Sequence, residues 1–212
     1  MPCGGALLKL VAVTQRVDVI PDRNERRDAL DQRLVRWLSA AGFHTVLVPN
    51  VLGGEAEIGA WLDVVKPQAF VFSGGNDVGR IPERDLTERI LLNHAARLAQ
   101  PVLGICRGMQ MMAVFSGGQL TTVKGHINAR HGLRFSAHAQ CDNLPTEVNS
   151  FHAWALDGCP ANFEVLAWAE DGGIEVIRHC FLPWEGWMWH PERDLPAEDL
   201  RRIRWLFSEG SK

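Results

Sequence analysis

Four short apolar segments in the first half of the chain alternate with segments of helical spacing, and this alternation constrains the fold most strongly. The predicted strands are residues 7–14, 43–48, 69–72 and 101–105. The predicted helices are residues 25–41, 56–65, 84–99 and a segment that begins after Cys106. Strands that alternate with helices are typical of a parallel sheet covered on both faces. The sequence therefore predicts an α/β fold.

The second half of the chain changes to shorter strand-like segments. They are predicted at residues 118–123, 132–137, 163–169, 173–179 and 185–189. Asp171-Gly172-Gly173 indicates a hairpin turn between two of them, and residues 197–207 have the pattern of an amphipathic helix. The irregular stretch 124–145 is predicted to be a surface excursion beside a functional site. No linker or repeat interrupts residues 1–212, which we expect to form one domain.

Cys106 lies between Gly104 and Gly108, where the strand is predicted to turn into a helix. A sharp turn of this kind pushes the intervening side chain out of the sheet edge, and small flanking residues give the backbone room. At a helix N-terminus, unpaired N–H groups and the helix dipole favour a thiolate and can also bind an oxyanion. The pattern predicts a nucleophilic cysteine, and the alternative is an inert buried thiol.

Two further segments supply what such a nucleophile needs. His190-Pro191-Glu192 places a base and a carboxylate two residues apart, with a proline that stiffens the step. The carboxylate can hold the imidazole in one tautomer while the other ring nitrogen faces the thiol. Gly74 and Gly75 follow a buried strand, and glycine turns present bare N–H groups. We predict that Cys106, His190 and Glu192 act as a catalytic triad.

These motifs resemble those of the class I glutamine amidotransferase superfamily. The matching segments are Gly-Ile-Cys-Arg-Gly-Met-Gln, His-Pro-Glu and Ser-Gly-Gly. Within it, the chain resembles the free-standing γ-glutamyl hydrolase branch, which includes γ-glutamyl-γ-aminobutyrate hydrolase. That likeness rests on Gly-Gly-Asn-Asp-Val, Arg84-Asp85 with Glu88, Arg130-His131 and Val148-Asn149-Ser150-Phe151-His152. The resemblance implies a three-layer, flavodoxin-like fold with a mostly parallel central sheet and a smaller antiparallel sheet.

The resemblance also implies roles for individual residues. The backbone N–H groups of Gly75 and Arg107 would form the oxyanion hole. The glutamyl group would be held by Gly74, by Gln110, and by the backbone around Ser150, Phe151 and His152. The family's usual tyrosine is replaced by Phe151, so a contact through a phenol is absent, and His152 has the alternative of a core histidine satisfied by a backbone carbonyl.

The composition agrees with a cytoplasmic enzyme. A net charge of −3 argues against binding to nucleic acid or anionic membranes, and no apolar run is long enough to span a bilayer. The apolar run 6–13 contains Lys9 and has no basic leader, so we interpret it as a strand and not as a signal peptide. The five cysteines, an odd number without Cys-x-x-Cys spacing, favour a reducing compartment over a disulfide framework.

No cofactor or metal is expected from the sequence. His190-x-Glu192 matches half of the zinc deaminase signature, but no cysteine follows Cys180 to complete it. His126, His131 and His138 are too irregularly spaced to indicate a ligand set.

The predicted activity is cysteine-dependent hydrolysis of a γ-glutamyl amide, which releases glutamate and an amine through a γ-glutamyl thioester. The amine is not specified by the sequence. An anionic or nucleotide-linked amine, such as a phosphoramidate, would suit Arg80, Arg107 and Arg130 if they face the site. Two alternatives stay open: a glutaminase subunit that delivers ammonia to a separate synthase, and an inactive binding or regulatory module. A homodimer also stays open.

Overall fold

A nine-stranded sheet forms the centre of the protein in a computed structural model that describes residues 9–137, 139 and 144–208. Five of its strands are parallel. In spatial order they are β4 (His44–Leu47), β1 (Leu10–Val13), β5 (Ala69–Phe72), β6 (Val102–Ile105) and β13 (Trp184–Trp187). The sheet continues through antiparallel strands β12 (Ile174–His179), β11 (Phe163–Ala169), β8 (Ile127–Phe135) and β9 (Glu147–Phe151).

Two small antiparallel pairs stand apart from this sheet. They join β2 (Arg16–Ile20) to β3 (Glu25–Ala29) and β7 (Leu120–Thr122) to β10 (Trp154–Leu156). The helices are α1 (Gln32–Ala40), α2 (Glu55–Val65), α3 (Pro82–Arg97), α4 (Arg107–Phe115), α5 (Pro191–Asp194) and α6 (Ala197–Ser208). Short 3-10 helices cover Pro21–Arg23 and Asn50–Leu52. Within the described ranges, no helix is long and apolar enough to span a membrane.

Helices cover both faces of the sheet because side chains alternate along each strand. Val11 and Val13 on β1 pack in one core cluster with residues of α1 and α6, whereas Ala12 packs in another with residues of α2, α3 and α4. This arrangement confirms the predicted three-layer α/β fold. The antiparallel strands β12, β11, β8 and β9 extend the parallel half, and β13 joins the two halves.

The predicted helix 25–41 is wrong in its first part. Residues Glu25–Ala29 form β3, which pairs with β2 along its whole length. Helix α1 begins only at Gln32, after Asp31, whose carboxylate accepts the Arg33 N–H at 2.9 Å as an N-cap. Charged residues of β3 show neither helical nor strand periodicity, so only the pairing with β2 determines their conformation.

The prediction of an irregular stretch at residues 124–145 is wrong for Ile127–Phe135, which forms β8, and the predicted strand 132–137 matches only the second half of β8. Strands β2, β9 and β10 and helix α5 were not predicted. In β9 the buried positions include polar Asn149 and Ser150, which hide the alternation of apolar residues. Cys106, Cys159 and Cys180 are free thiols. Residues 7 and 8 of the first predicted strand, Cys3, Cys141 and His138 lie outside the described residues.

Candidate active site

Segments that follow three neighbouring parallel strands meet at one edge of the sheet. Ser73-Gly74-Gly75 follows β5, Cys106 follows β6, and His190 comes shortly after β13. The carboxyl ends of adjacent parallel strands form the usual binding edge of an α/β sheet. The segments are close together, since a Cβ atom on Gly74 would lie 2.7 Å from Cε1 of His190 and 3.7 Å from Cβ of Cys106.

Cys106 occupies a strained turn between β6 and α4. Its φ of 51° and ψ of −107° lie in a region that side-chain-bearing residues rarely adopt. The Cys106 N–H donates to the carbonyl oxygen of Trp187 at 2.7 Å, which fixes the turn against β13. Its side chain lines a cavity and stands at the N-terminus of α4, where the first N–H groups have no partner within the helix.

Gly108 allows α4 to start directly beside β5. A Cβ atom at Gly108 would overlap the carbonyl oxygen of Phe72, which is backbone and has little freedom to move.

We expect Gly108→Ala to lower the free energy of unfolding by about 3 kcal/mol. Urea titration would measure the free energy of unfolding of both proteins. The control is Gly59→Ala in α2, where a Cβ meets nothing within 4 Å, and a gain of about 0.5–1 kcal/mol is expected. Equal stability of the two variants would contradict the proposed close approach.

Glu192, Asn149 and Cys106 surround His190. Its Nδ1 lies 2.7 Å from Oε1 of Glu192, which selects the tautomer with Nδ1 protonated, and the ring shares the cavity with Cys106. The His190 N–H donates to Oδ1 of Asn149 at 3.0 Å, and Nδ2 of Asn149 donates to the His190 carbonyl at 2.9 Å. Burial lowers the pKa of His190, but the bonds to Cys106 and Glu192 outweigh it and raise the pKa to about 9. The sequence did not single out Asn149 for this role.

The glycine turn after β5 is held by the buried side chain of Arg84. Its guanidinium donates to the carbonyl oxygens of Ser73 at 2.6 Å and Gly74 at 3.2 Å, and also to that of Gly75. Three carbonyl groups are thereby directed towards α3. In the described part of the chain, no acceptor pairs with the N–H of Gly75 or Arg107. Both predicted oxyanion donors are therefore available to a ligand.

A buried ion-pair network joins the two predicted oxyanion segments. Glu88 pairs with Arg84 at 2.9 Å and also with Arg107, whose guanidinium reaches Asp85 as well. Burial lowers the pKa of Arg107 to about 9, so it remains a cation at neutral pH. The side chain of Arg107 is directed into this network and away from the cavity. Arg84, Asp85 and Glu88 of α3 therefore stabilise both segments.

The cavity beside Cys106 has a volume of about 390 Å³ and is bounded by the β2–β3 hairpin. Arg16 and Asp18 of the hairpin line it together with Phe151 and Arg193. Asn76 attaches the hairpin to the glycine turn, because its side chain accepts the Val17 N–H at 2.8 Å and donates to the Val17 carbonyl at 3.0 Å. The unpredicted hairpin is therefore part of the site.

The predicted substrate-binding residues separate into two groups. Gly74 and Phe151 line the cavity, and the Phe151 ring packs edge-on at 6.0 Å from that of His190. The side chains of Gln110, Ser150 and His152 are buried and bonded within the protein. Gln110 donates to the Trp154 carbonyl at 2.8 Å, Ser150 donates to the His126 carbonyl at 2.7 Å, and Nδ1 of His152 lies 3.0 Å from the Trp154 carbonyl. His152 therefore fits the alternative interpretation, in which it is a core histidine bonded to a backbone carbonyl.

The arginines that line the cavity are not those that the sequence suggested. Arg80 is exposed, and Arg130 pairs with Glu147 and Asp194 at the surface. Arg16 and Arg193 line the cavity instead. Both belong to segments whose conformation was not predicted, namely β2 and the short helix α5, and no sequence motif marks either one.

Comparison with known proteins assigns the class of this fold and site. The protein is similar to a γ-glutamyl-CDP-amidate hydrolase of Campylobacter jejuni, with 27% identity over 93% of this chain and 97% of the relative. It is also similar to the glutamine-hydrolyzing GMP synthase component of Thermococcus kodakarensis, with 28% identity over 76% and 82%. The crystal structure of a glutamine amidotransferase from Thermotoga maritima shares the fold, with a TM-score of 0.63, 15% identity, and coverage of 96% and 90%.

These similarities define a protein of the class I glutamine amidotransferase type. The model of the Peptidase C26 family matches residues 9–192, and the chain belongs to that family. The family and the relatives support a hydrolase that acts on carbon–nitrogen bonds.

Proposed function

We propose that the protein hydrolyses γ-glutamyl amides, with Cys106 as the nucleophile, His190 as the acid and base, and Glu192 as the residue that orients His190. One observation carries the proposal: Cys106 stands at a strained helix N-terminus and lines the same cavity as His190, whose Nδ1 lies 2.7 Å from Glu192. The chain of nucleophile, base and orienting carboxylate is the arrangement that activates a thiol.

The reaction proceeds in two halves. The Cys106 thiolate attacks the γ-carbonyl carbon, a C–S bond forms, and the carbonyl electron pair moves to the oxygen. The N–H groups of Gly75 and Arg107 stabilise this oxyanion. Protonated His190 gives its proton to the nitrogen, the C–N bond breaks, and the amine leaves a γ-glutamyl thioester. Neutral His190 then removes a proton from water, hydroxide attacks the thioester, and the C–S bond breaks to release glutamate.

The charged residues that line the cavity favour an anionic leaving group. Three carboxylates line the cavity, and each has a partner: Asp18 pairs with Arg16 at 2.6 Å, Asp31 with Arg33 at 2.7 Å, and Glu192 with His190. Arg193 lies 3.8 Å above the Phe151 ring, and no carboxylate among the described residues lies within 4.0 Å of its guanidinium nitrogens. Asp31 and Asp194 are close enough to interact with the charge of Arg193, but neither forms a direct salt bridge with it, and such a cation suits a carboxylate or phosphate on the amine. The similarity to the γ-glutamyl-CDP-amidate hydrolase supports the same choice.

A substrate panel tests this proposal. Glutamate release would be measured with γ-glutamyl-CDP-amidate, γ-glutamyl-γ-aminobutyrate and glutamine. We expect an anionic amide to have a higher kcat/KM than glutamine. Arg193→Gln is expected to raise the KM of that amide about tenfold and to leave the KM of glutamine unchanged. The control is Arg201→Gln on the exposed face of α6, which is expected to change neither value.

The panel also separates the two predicted enzyme functions. The GMP synthase relative favours the alternative in which the protein is a glutaminase component of a larger enzyme. If glutamine is the fastest substrate, and a second protein from the same cell accelerates its hydrolysis further, that function replaces the hydrolase function proposed above.

A further inference from the structure

Three buried side chains form a second polar cluster outside the cavity. His126 precedes β8, His152 follows β9 and Glu175 lies on β12, with exposures of 1%, 4% and 0%. Nδ1 of His126 lies 3.2 Å from Nε2 of His152. Oε1 of Glu175 lies 3.8 Å from the first nitrogen and 3.7 Å from the second. The three potential ligand atoms thus lie within 3.8 Å of one another.

The outer hydrogen bonds determine which ring nitrogens carry protons. Nε2 of His126 lies 2.7 Å from the Asp171 carboxylate, and Nδ1 of His152 lies 3.0 Å from the Trp154 carbonyl. An ionised carboxylate and a carbonyl only accept hydrogen bonds, so both of these nitrogens must be protonated. In neutral rings, the remaining nitrogens therefore present lone pairs to each other across 3.2 Å. That contact requires a positive centre between or beside the rings.

Glu175 strengthens this requirement. Both of its carboxylate oxygens are buried, and neither has a hydrogen-bond donor. In the described ranges, its ion-pair contacts are with His126 and His152 alone. A buried carboxylate without a donor is costly unless a cation lies nearby.

We propose that this cluster binds a divalent transition-metal ion of the zinc type through His126 Nδ1, His152 Nε2 and Glu175 Oε1. Tetrahedral zinc has bonds of about 2.0–2.2 Å, so its ligand atoms stand about 3.4 Å apart. The observed separations of 3.2–3.8 Å bracket that value. Each histidine also gives its other N–H to a carboxylate or carbonyl, as metal-bound histidines usually do.

The sequence did not predict this cluster because its members meet only in the folded sheet. The spacing of His126, His131 and His138 along the chain indicates no set of metal ligands. The partners of His126 are His152 and Glu175, which are distant in sequence. His131 borders the cluster, with its ring centroid 4.1 Å from that of His126 and an Nε2 atom that is buried without a partner. A further imidazole is thus available beside the three ligands.

A bound ion would stabilise the walls of the active site. His152 directly follows Phe151, which packs against His190. The Glu175 carbonyl accepts the Met188 N–H at 2.9 Å, just before His190. The ion would join the two chain segments that flank the imidazole, and it would take no part in the bond-making steps at Cys106.

Metal analysis of the untagged protein tests the proposal directly. After growth with added Zn²⁺ and exhaustive dialysis, roughly one equivalent of zinc per chain is expected. Glu175→Gln and His126→Asn are each expected to lose most of it. Cys106→Ala and His44→Gln, the latter on the exposed face of β4, are expected to retain it and so exclude binding by the nucleophile or by a surface histidine. Zinc retention in both cluster variants would overturn the assignment.

Thermal unfolding of the wild-type protein provides a test that needs no variant. Removal of zinc by a chelator is expected to lower the Tm by about 4 °C or more, and Zn²⁺ alone is expected to restore it. Co²⁺ in the chelated protein is expected to give the strong visible absorption of a tetrahedral site. If the wild-type protein holds less than about a tenth of an equivalent and neither chelator nor Zn²⁺ changes the Tm, a proton shared by the rings replaces the metal.

Discussion

Cys106→Ala is expected to lower glutamate release by about 10⁴-fold while the protein remains folded. The substitution removes the Sγ atom that would form the thioester. The loss of this one sulfur leaves only a small cavity at the edge of the core. Cys106→Ser is expected to be nearly as inactive, because a hydroxyl ionises far less than a thiol. Steady-state kinetics and circular dichroism would measure activity and folding. Turnover retained in Cys106→Ala would contradict the mechanism.

Mass spectrometry would add a positive observation to this loss. A glutamine-mimicking electrophile is expected to add one label to the wild-type protein and none to Cys106→Ala. Cys159 and Cys180 are exposed, so they serve as internal controls for non-specific alkylation. Labelling of either one at the rate of Cys106 would argue against an activated thiol.

His190→Ala is expected to abolish turnover, and Glu192→Gln is expected to leave a rate about 100-fold higher than that of His190→Ala. The carboxylate orients the imidazole and stabilises its cation without taking the proton, so its loss costs less. Because the two residues act as a unit, the double variant should be no slower than His190→Ala. Losses that multiply in the double variant would show that they act independently.

The pKa of His190 also predicts a pH profile. Its value of about 9 lies above the ordinary 6.5, so the stabilisation of the imidazolium is complete below about pH 6.5 and is lost as the pH rises through about 9. The kcat/KM for a γ-glutamyl amide should therefore fall as the pH passes about 9, since protonated His190 serves the leaving nitrogen. Glu192→Gln removes one of the bonds that raise this pKa and should move the falling limb to lower pH. An unchanged midpoint would contradict the coupling.

Sequence patterns predicted best where a residue's environment depends on its neighbours along the chain. Strand β5 was predicted at its observed bounds, because four consecutive buried apolar residues end at a glycine turn. The motifs around Cys106 and His190 predicted residues that the fold brings together, since each motif follows a parallel strand of the same sheet. Those patterns are local in sequence, although the contacts they produce are distant.

The features that the sequence missed depend on contacts between distant segments. Strand β3 is charged and half-exposed, and only its pairing with β2 makes it a strand. Arg84 belongs to a helix that was predicted, but its bonds to three carbonyls after β5 have no signature in the helix itself. Asn149 likewise acts through the backbone of His190, far along the chain.

The way in which the β2–β3 hairpin is attached allows it to be replaced without a change in the catalytic residues. Side chains of three other segments hold it in place: Asn76 bonds to Val17, Asn50 bonds to Asp28 at 2.8 Å, and Glu83 pairs with Arg26. The nucleophile, the imidazole and the oxyanion donors all lie on other segments. A hairpin of different length or charge that keeps Val17, Arg26 and Asp28 could therefore replace this one, and the same chemistry would then act on a different amine.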